Sequence, residues 1–118
     1  MIAEAVVALA LLTPAQQQPC QTHSCQRRVQ RAHMRRVVKP HLAWLRRTAI
    51  CESSLGTGRP KWHLNTHNGF YGGLQFTIQS WHGVGGKGLP HQASALEQKY
   101  RAVRLLARQG RSAWPVCG

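Results

Sequence analysis

The chain has 118 residues, of which 16 are lysine or arginine and only three are acidic, so its formal charge is +13. This length accommodates one small domain with some residues to spare at the N-terminus. The sequence contains no aspartate, which excludes a Ser-His-Asp triad, and its charge favours a polyanionic partner: nucleic acid, anionic lipid or acidic cell-wall polymer.

The N-terminal section, residues 1–25, begins with an apolar run over residues 5–12 that is too short to span a bilayer. The run is typical of the apolar part of an export signal, but Glu4 stands where such a signal carries positive charge. Two interpretations stay open: a degenerate or truncated export signal, or a packing segment of a protein released by another route, such as a bacteriophage particle protein. Residues 14–25 are polar and contain prolines, which predicts a linker.

A strongly basic segment follows, and its apolar residues could form a narrow stripe on a helix over residues 26–39. Pro40 interrupts this helix, so residues 26–40 are predicted to be a basic extension. Its first interpretation is a solvated charged surface, and its second is an anchor to anionic wall polymer or a membrane. Specific nucleic-acid binding is least favoured, because the segment has no aromatic residue and matches no nucleic-acid-binding motif.

Beyond Pro40 the pattern predicts a second helix from about His41 to about Gly56. Residues 53–73 are rich in helix breakers, and Asn68-Gly69 predicts a β-hairpin with arms at residues 62–66 and 70–73. A short helix is expected over residues 74–81 and a loop over residues 83–90.

The last helix is the clearest predicted element, because Ser94 and Glu97 form a capping box and Gly110 is a natural stop. Its apolar face is expected to contain Leu96, Tyr100, Val103, Leu106 and Ala107. Together these elements predict a mainly helical α+β domain over residues 41–118 with one small β-hairpin.

Four cysteines, an even number, favour disulfides and therefore an oxidising compartment. Three pairings are possible, and a bridge between Cys51 and Cys117 would close a long loop, contributing about 4 kcal/mol in the chain-entropy model. A zinc site is the alternative and would use Cys20, Cys25, His33 and His41, although this spacing departs from that of zinc fingers. No metal or organic cofactor is predicted.

Glu52 is the candidate catalytic residue, since Glu4 lies in the apolar N-terminal stretch and Glu97 in a helix cap. The residues that follow it combine amides and hydroxyls with aromatic rings, a set that suits the polar groups and apolar faces of sugars. Trp81 and Trp114 are candidate stacking surfaces, with packing as the alternative role of each. Desolvation among aromatic side chains would raise the pKa of Glu52 and keep it protonated as a general acid, whereas the charge of +13 acts in the opposite direction.

Residues 51–117 resemble the catalytic domain of resuscitation-promoting factors, the transglycosylase-like enzymes of actinobacterial cell walls. The matching motifs are CE at 51–52, Trp62, NTHNGFYGGLQF at 65–76, QSW at 79–81, LEQ at 96–98 and AWPVCG at 113–118. The resemblance implies a compact lysozyme-like fold, binding of peptidoglycan glycan strands, Glu52 as catalytic acid and a Cys51–Cys117 disulfide. It also implies substrate contacts from Thr66, Tyr71, Gln75, Ser80, Trp81 and Gln109.

Three features depart from that family, and one of them is the basic N-terminal region, which has no counterpart in the family's core domain. The loop between Glu52 and Trp62 looks longer than usual, and Arg111 occupies a position where the family often has a tryptophan. Arg111 in place of that tryptophan would weaken one sugar-stacking contact.

Ordinary glycosidases use two carboxyl groups, and this chain offers one in the right place. A single-acid route is therefore expected, in which Glu52 protonates the oxygen between MurNAc and GlcNAc and then deprotonates the MurNAc C6 hydroxyl. The product would be a 1,6-anhydro sugar, with hydrolysis by water as the alternative. The expected protein is a monomer at the cell wall, outside the cell, or on a phage particle. Alternative functions are a wall-binding module without activity and a cationic protein that binds nucleic acid or membranes.

Overall fold

A computed structural model describes residues 20–118, so the N-terminal apolar run and the first half of the predicted linker lie outside the described residues. Internal contacts divide the chain into two units, residues 1–30 and 31–118. The first helix, α1 (His23–Val38), contributes residues to both. None of the helices within residues 20–118 has the length and apolar character needed to cross a membrane.

In the first unit, a disulfide joins Cys20 to Cys25 where α1 begins. The Thr22 hydroxyl caps the helix by accepting a hydrogen bond from the Cys25 amide at 3.1 Å. This cap explains why α1 begins three residues before the predicted segment. The two sulfurs are bonded to each other, so the zinc alternative through Cys20 and Cys25 is wrong.

A single 3-10 turn at Lys39–His41 separates α1 from α2 (Leu42–Ser53), and Pro40 lies within this turn. Proline has a fixed φ and lacks an amide hydrogen, so it fits a new helical start better than a helix interior. One face of α2 is buried, with Trp44, Leu45 and Ala49 in the core. The helix ends at Ser53, earlier than the predicted end near Gly56.

The segment after α2 forms the turn but not the strands of the predicted β-hairpin. Two isolated antiparallel bridges, Asn65–Tyr71 and Tyr71–Phe76, are the only β-pairings within residues 20–118. Positive φ angles at His67, Gly69, Gly72 and Gln75 interrupt the extended backbone near each bridge. Extended pairing therefore cannot continue past a single residue pair.

A buried glutamine side chain holds this loop region together in place of a sheet. The Nε2 of Gln98 donates to the carbonyls of Trp62 at 2.8 Å and Ala93 at 3.0 Å, and its Oε1 accepts from the Gly73 amide at 3.0 Å. The Gln98 side chain thus satisfies buried backbone groups of three separate loops.

The structure predicts that Gly73→Ala destabilises the fold. A Cβ at this position would lie 2.7 Å from Cζ3 of Trp62, so the indole would have to move. We expect the free energy of unfolding to fall by about 1–3 kcal/mol, measured by urea denaturation. Gly83→Ala is the control, because the nearest atom to its Cβ would be Arg108 Nη1 at 3.9 Å. Equal stability of the two variants would contradict the packing assigned to Trp62.

Helix α3 (Ile78–Gly83) begins later than the predicted helix over residues 74–81. The Thr77 hydroxyl caps it by accepting from the Ser80 amide at 3.1 Å. Residues 74–77 are not helical, because Phe76 pairs with Tyr71 and Gln75 has a φ of +52°.

Helix α4 (Ala95–Gln109) has the predicted boundaries, with Ser94 as N-cap and Gly110 after its end at a φ of +69°. Its buried face differs from the prediction: Val103 is buried, but Gln98, Ala102 and Leu105 accompany it. Leu96, Tyr100 and Leu106 are only partly buried against the core. The buried face of the helix therefore differs from the predicted apolar stripe, because the side-chain amide of Gln98 points inward and binds the loops.

Aromatic rings dominate the core of the second unit. Trp44 meets Trp114 edge to face with centroids 5.1 Å apart, and Phe76 meets Trp81 in the same way at 5.1 Å. Leu45 and Leu74 are completely buried beside them. This core fixes the C-terminal segment, which contains Trp114, against α2 and the loop region.

Candidate active site

A cleft of about 490 Å³ lies between α3, the loop before it and the C-terminal part of α4. Four of the predicted substrate-binding residues line it together: Gln75, Ser80, Gln109 and Trp114. The cleft also contains residues outside the predicted substrate-binding set: Phe70, Phe76, Thr77, Gln79, Gly83, Val84, Leu105, Arg108 and Ala113. Polar side chains therefore surround an opening with an aromatic edge.

Local structure positions the polar side chains of the cleft. Gln75 adopts a positive φ, and its side-chain nitrogen donates to the Gly72 carbonyl at 2.9 Å. Ser80 lies in the first turn of α3, with its hydroxyl 2.9 Å from that of Thr77. Gln109 ends α4 and is exposed, so its amide is free to meet a ligand.

The two tryptophans are buried, as their alternative packing role predicts. The Trp81 side chain is 0% exposed, and its Nε1 donates to the Lys87 carbonyl at 3.1 Å. Trp81 therefore lies in the core, and the expected contact of its ring with a sugar stays a prediction. Trp114 is 4% exposed and donates to the Leu74 carbonyl at 2.9 Å, so only an edge of its ring reaches the cleft.

Phe70 offers the aromatic surface that the two tryptophans do not. Its side chain is 44% exposed and lines the cleft directly after the Asn68-Gly69 turn. An aromatic residue at a turn, outside any helix or strand pattern, is the signal by which it could have been found. Arg108 also lines the cleft outside the predicted set, and its guanidinium donates to the Gly83 carbonyl across the cleft.

Thr66 and Tyr71 do not line the cleft. The Thr66 hydroxyl donates to the Phe70 carbonyl at 2.9 Å and also contacts the Asn68 side chain. The Tyr71 ring stacks on His91 with centroids 5.4 Å apart. Both residues therefore shape the loop that carries Phe70.

Glu52 lies in the last turn of α2, outside the lining of the cleft, and anchored residues flank it on both sides. Cys51 is bonded to Cys117, three residues beyond the cleft residue Trp114. The buried hydroxyl of Ser53 donates to the Ala49 carbonyl and accepts from the Lys61 amide, both at 3.0 Å. The backbone that carries Glu52 is thus fixed to the C-terminal segment and to the following loop.

The Glu52 carboxyl group is partly buried, and this desolvation raises its pKa above the ordinary value of 4.5. Its position at the negative end of α2 acts in the same direction. The other described glutamate, Glu97, forms an ion pair with Arg101 at 3.4 Å. No ion pair within residues 20–118 involves Glu52.

The raised pKa has a consequence for stability. Between 4.5 and the higher pKa of the folded state, the folded protein keeps a proton that the unfolded chain releases, so stability is lost as pH rises through this range. We expect Glu52→Gln to melt at a higher temperature than the wild type at neutral pH. The two melting curves should converge below pH 4.5, and a constant difference across this range would contradict the assigned pKa direction.

Within residues 20–118, no group of three or more histidine, cysteine or acidic side chains could hold a metal ion.

Sequence comparison adds the family to this geometry. Residues 39–117, most of the chain, match the sequence profile of the transglycosylase-like domain. The chain belongs to the transglycosylase-like domain family. The match covers the end of α2 with Glu52, the cleft and the Cys51–Cys117 disulfide.

Similar proteins include resuscitation-promoting factors of actinobacteria. The chain is 58% identical to Rpf of Micrococcus luteus over 71 residues, which are 60% of this chain and 30% of that protein. It is 47% identical to RpfE of Mycobacterium tuberculosis over 70 residues, covering 59% of this chain and 38% of the relative. RpfC of the same species is 49% identical over 70 residues, with 59% and 46% covered. The chain thus matches less than half the length of each of these transglycosylase-like relatives.

Proposed function

We propose that this chain is a lytic transglycosylase that cuts the β-1,4 bond between MurNAc and GlcNAc in peptidoglycan. The proposal assigns a lysozyme-like catalytic domain to residues 41–118, a basic extension to residues 26–40 and an N-terminal segment to residues 1–25. Membership of the transglycosylase-like domain family supports it, as do the resuscitation-promoting factors among the relatives.

The observation that carries the proposal is the environment of Glu52. Desolvation raises the pKa of this carboxyl group, which favours the protonated form that a general acid needs. Its neighbours Cys51 and Ser53 are anchored, so the group is held in place. In the proposed reaction Glu52 gives its proton to the glycosidic oxygen and the GlcNAc side leaves as the alcohol.

The same group then completes the reaction as a base. The Glu52 carboxylate takes the proton of the MurNAc C6 hydroxyl, and the oxygen of that hydroxyl bonds to C1 of the same sugar. This step gives the 1,6-anhydro ring and restores the acid form of Glu52. A hydrolase would need a second carboxylate to activate water, but Glu97 is paired with Arg101. The substrate's own acetamido group and the cleft's amide dipoles stabilise the oxocarbenium-like state.

The cleft offers complementary contacts for a glycan strand. Phe70 provides an exposed ring for the apolar face of a sugar, and Gln75, Ser80 and Gln109 provide hydrogen-bonding groups for its hydroxyl and acetamido substituents. Thr66 and Tyr71 assist by holding the loop of Phe70, Trp114 adds the edge of its ring to the cleft, and Trp81 packs against the lining residue Phe76. We assign a monomer that acts outside the cell at the wall or from a phage particle.

The test is mass spectrometry of the soluble fragments released from actinobacterial peptidoglycan by the oxidised, full-length protein. Transglycosylation releases muropeptides lighter by one water than the corresponding reducing-end fragments. Reducing-end fragments instead would show hydrolysis and a second catalytic group. If no fragment is released while the protein still sediments with peptidoglycan, the protein is a wall-binding module.

That second candidate rests on one observation: Glu52 does not line the cleft, so the cleft would still bind glycan without cutting it. The third candidate, a cationic nucleic-acid-binding protein, predicts binding that weakens steeply with salt and needs neither Glu52 nor the cleft.

A further inference from the structure

A second concave surface lies in residues 31–118, apart from the cleft. Two adjoining cavities of about 340 and 350 Å³ share Leu42 and Lys99, and together they are called the basic groove. Neither cavity has a lining residue in common with the cleft. The floor of the groove consists of five apolar residues from separate elements: Val38, Leu42, Pro60, Trp62 and Leu96.

Four cations line the same groove: Arg35, Lys39, Arg46 and Lys99. They come from α1, the 3-10 turn after it, α2 and α4, so the fold gathers charges that are distant in sequence. No carboxylate lines the groove. Glu97 is close in sequence to groove residues, but its carboxylate forms an ion pair with Arg101. Within residues 20–118 these four charges have no anionic partner, so their mutual repulsion favours binding of an external anion.

The floor identifies the kind of anion. Leu42 is 49% exposed between Lys39 and Arg46, and Trp62 lies beneath the Lys99 ammonium at 5.2 Å from the ring centroid. A soluble polyanion would use the cations but gain nothing from the exposed Leu42 side chain. An amphiphile uses both, because its charged head meets the basic side chains while apolar groups enter the boundary between headgroups and acyl chains.

We propose that the basic groove docks the protein on a membrane surface that contains anionic phospholipid. The lipid phosphates lie between the four cations, and Leu42 and Trp62 enter the headgroup region. The proposal is independent of the proposed catalytic activity, because it uses no residue of the cleft and does not involve Glu52.

The test is co-sedimentation of full-length protein with phosphatidylcholine vesicles, with and without about one third phosphatidylglycerol, the anionic component. We expect binding only with the anionic vesicles. Lys39→Gln/Arg46→Gln should weaken the partition coefficient about tenfold or more, because each cation near an anionic surface contributes separately to binding. Leu42→Gln should weaken it about threefold or more through loss of its insertion.

Two matched controls separate the groove from general charge and hydrophobicity. Arg59→Gln/Lys87→Gln removes the same charge from exposed positions outside the groove, and Val116→Gln changes an apolar side chain that is 90% exposed elsewhere. Both controls should bind like the wild type, and unchanged melting temperatures will show that all variants are folded. Equal losses in the two double variants would overturn the proposal in favour of diffuse charge attraction. If Leu42→Gln binds the vesicles like the wild type, the apolar side chain is not needed for binding. That result would overturn the proposal in favour of a soluble polyanion, which uses the cations alone.

Discussion

Replacing Glu52 with glutamine is expected to reduce release of peptidoglycan fragments by at least about a hundredfold, the usual contribution of a general acid. Glutamine keeps the size of the side chain and its hydrogen bonding but has no proton to give to the glycosidic oxygen. Since Glu52 lies outside the lining of the cleft, sedimentation of the variant with insoluble peptidoglycan should be unchanged. The measurement is the rate of soluble muropeptide release, followed by mass spectrometry.

Glu97→Gln is the matched control, because it removes one carboxylate charge from the only other described glutamate. The partly buried Glu97–Arg101 pair lies in α4, where an i,i+4 ion pair contributes less than about 1 kcal/mol. The control should retain activity within about twofold and bind peptidoglycan normally. Equal activity of Glu52→Gln and the wild type would remove Glu52 from the reaction and require another acid.

The second large effect is expected from removing the Cys51–Cys117 disulfide with serine at both positions. The bridge closes a sequence separation of 66 residues, which contributes about 4 kcal/mol to the free energy of unfolding in the chain-entropy model. Urea denaturation should show this loss. Activity should fall as well, because the bridge joins the residue before Glu52 to the segment that contains Trp114.

Removal of the Cys20–Cys25 disulfide is the comparison. That bridge closes a separation of only 5 residues, and it lies in the first unit, away from Glu52 and the cleft residues in sequence. In the chain-entropy model the Cys20–Cys25 bridge contributes about half as much to the free energy of unfolding as the Cys51–Cys117 bridge. Its removal should leave activity unchanged. A larger loss from the short bridge would contradict the assignment of the long bridge as the main covalent support of the fold.

The sequence predicted the helices best where a specific chemical signal marked their ends. Ser94 and Gly110 delimited α4 correctly, because capping depends on residues adjacent to the helix end. The prediction of the buried face of the same helix was less accurate, since Gln98 is buried and makes three hydrogen bonds to loop residues. A hydrophobic pattern does not reveal a polar residue that is buried for hydrogen bonding.

The loop region limits prediction for a similar reason. Asn68-Gly69 correctly indicated a turn, but the strands on either side did not form, because Gln75 and His67 adopt positive φ angles. Such angles are unusual for residues other than glycine and depend on tertiary contacts. The Gln75 conformation is also held locally, because its side chain bonds to the Gly72 carbonyl within the same turn.

The candidate site was predicted in part. Gln75, Ser80, Gln109 and Trp114 meet at the cleft, whereas Trp81 is buried and Thr66 and Tyr71 hold a loop. Residue type alone does not separate an aromatic ring that binds sugar from one that fills a core. Burial decides between these roles, and burial depends on the complete fold.

The hydrogen bond between the Ser53 hydroxyl and the Lys61 amide has an evolutionary consequence. It joins the residues on either side of the segment over residues 54–60, so the length of this loop can change while its two ends stay together. Each doubling of such a loop adds only about 0.6 kcal/mol of closure entropy. Insertions and grafted peptides are therefore best tolerated here. They would alter the neighbouring groove through Pro60 and leave the lining of the cleft unchanged.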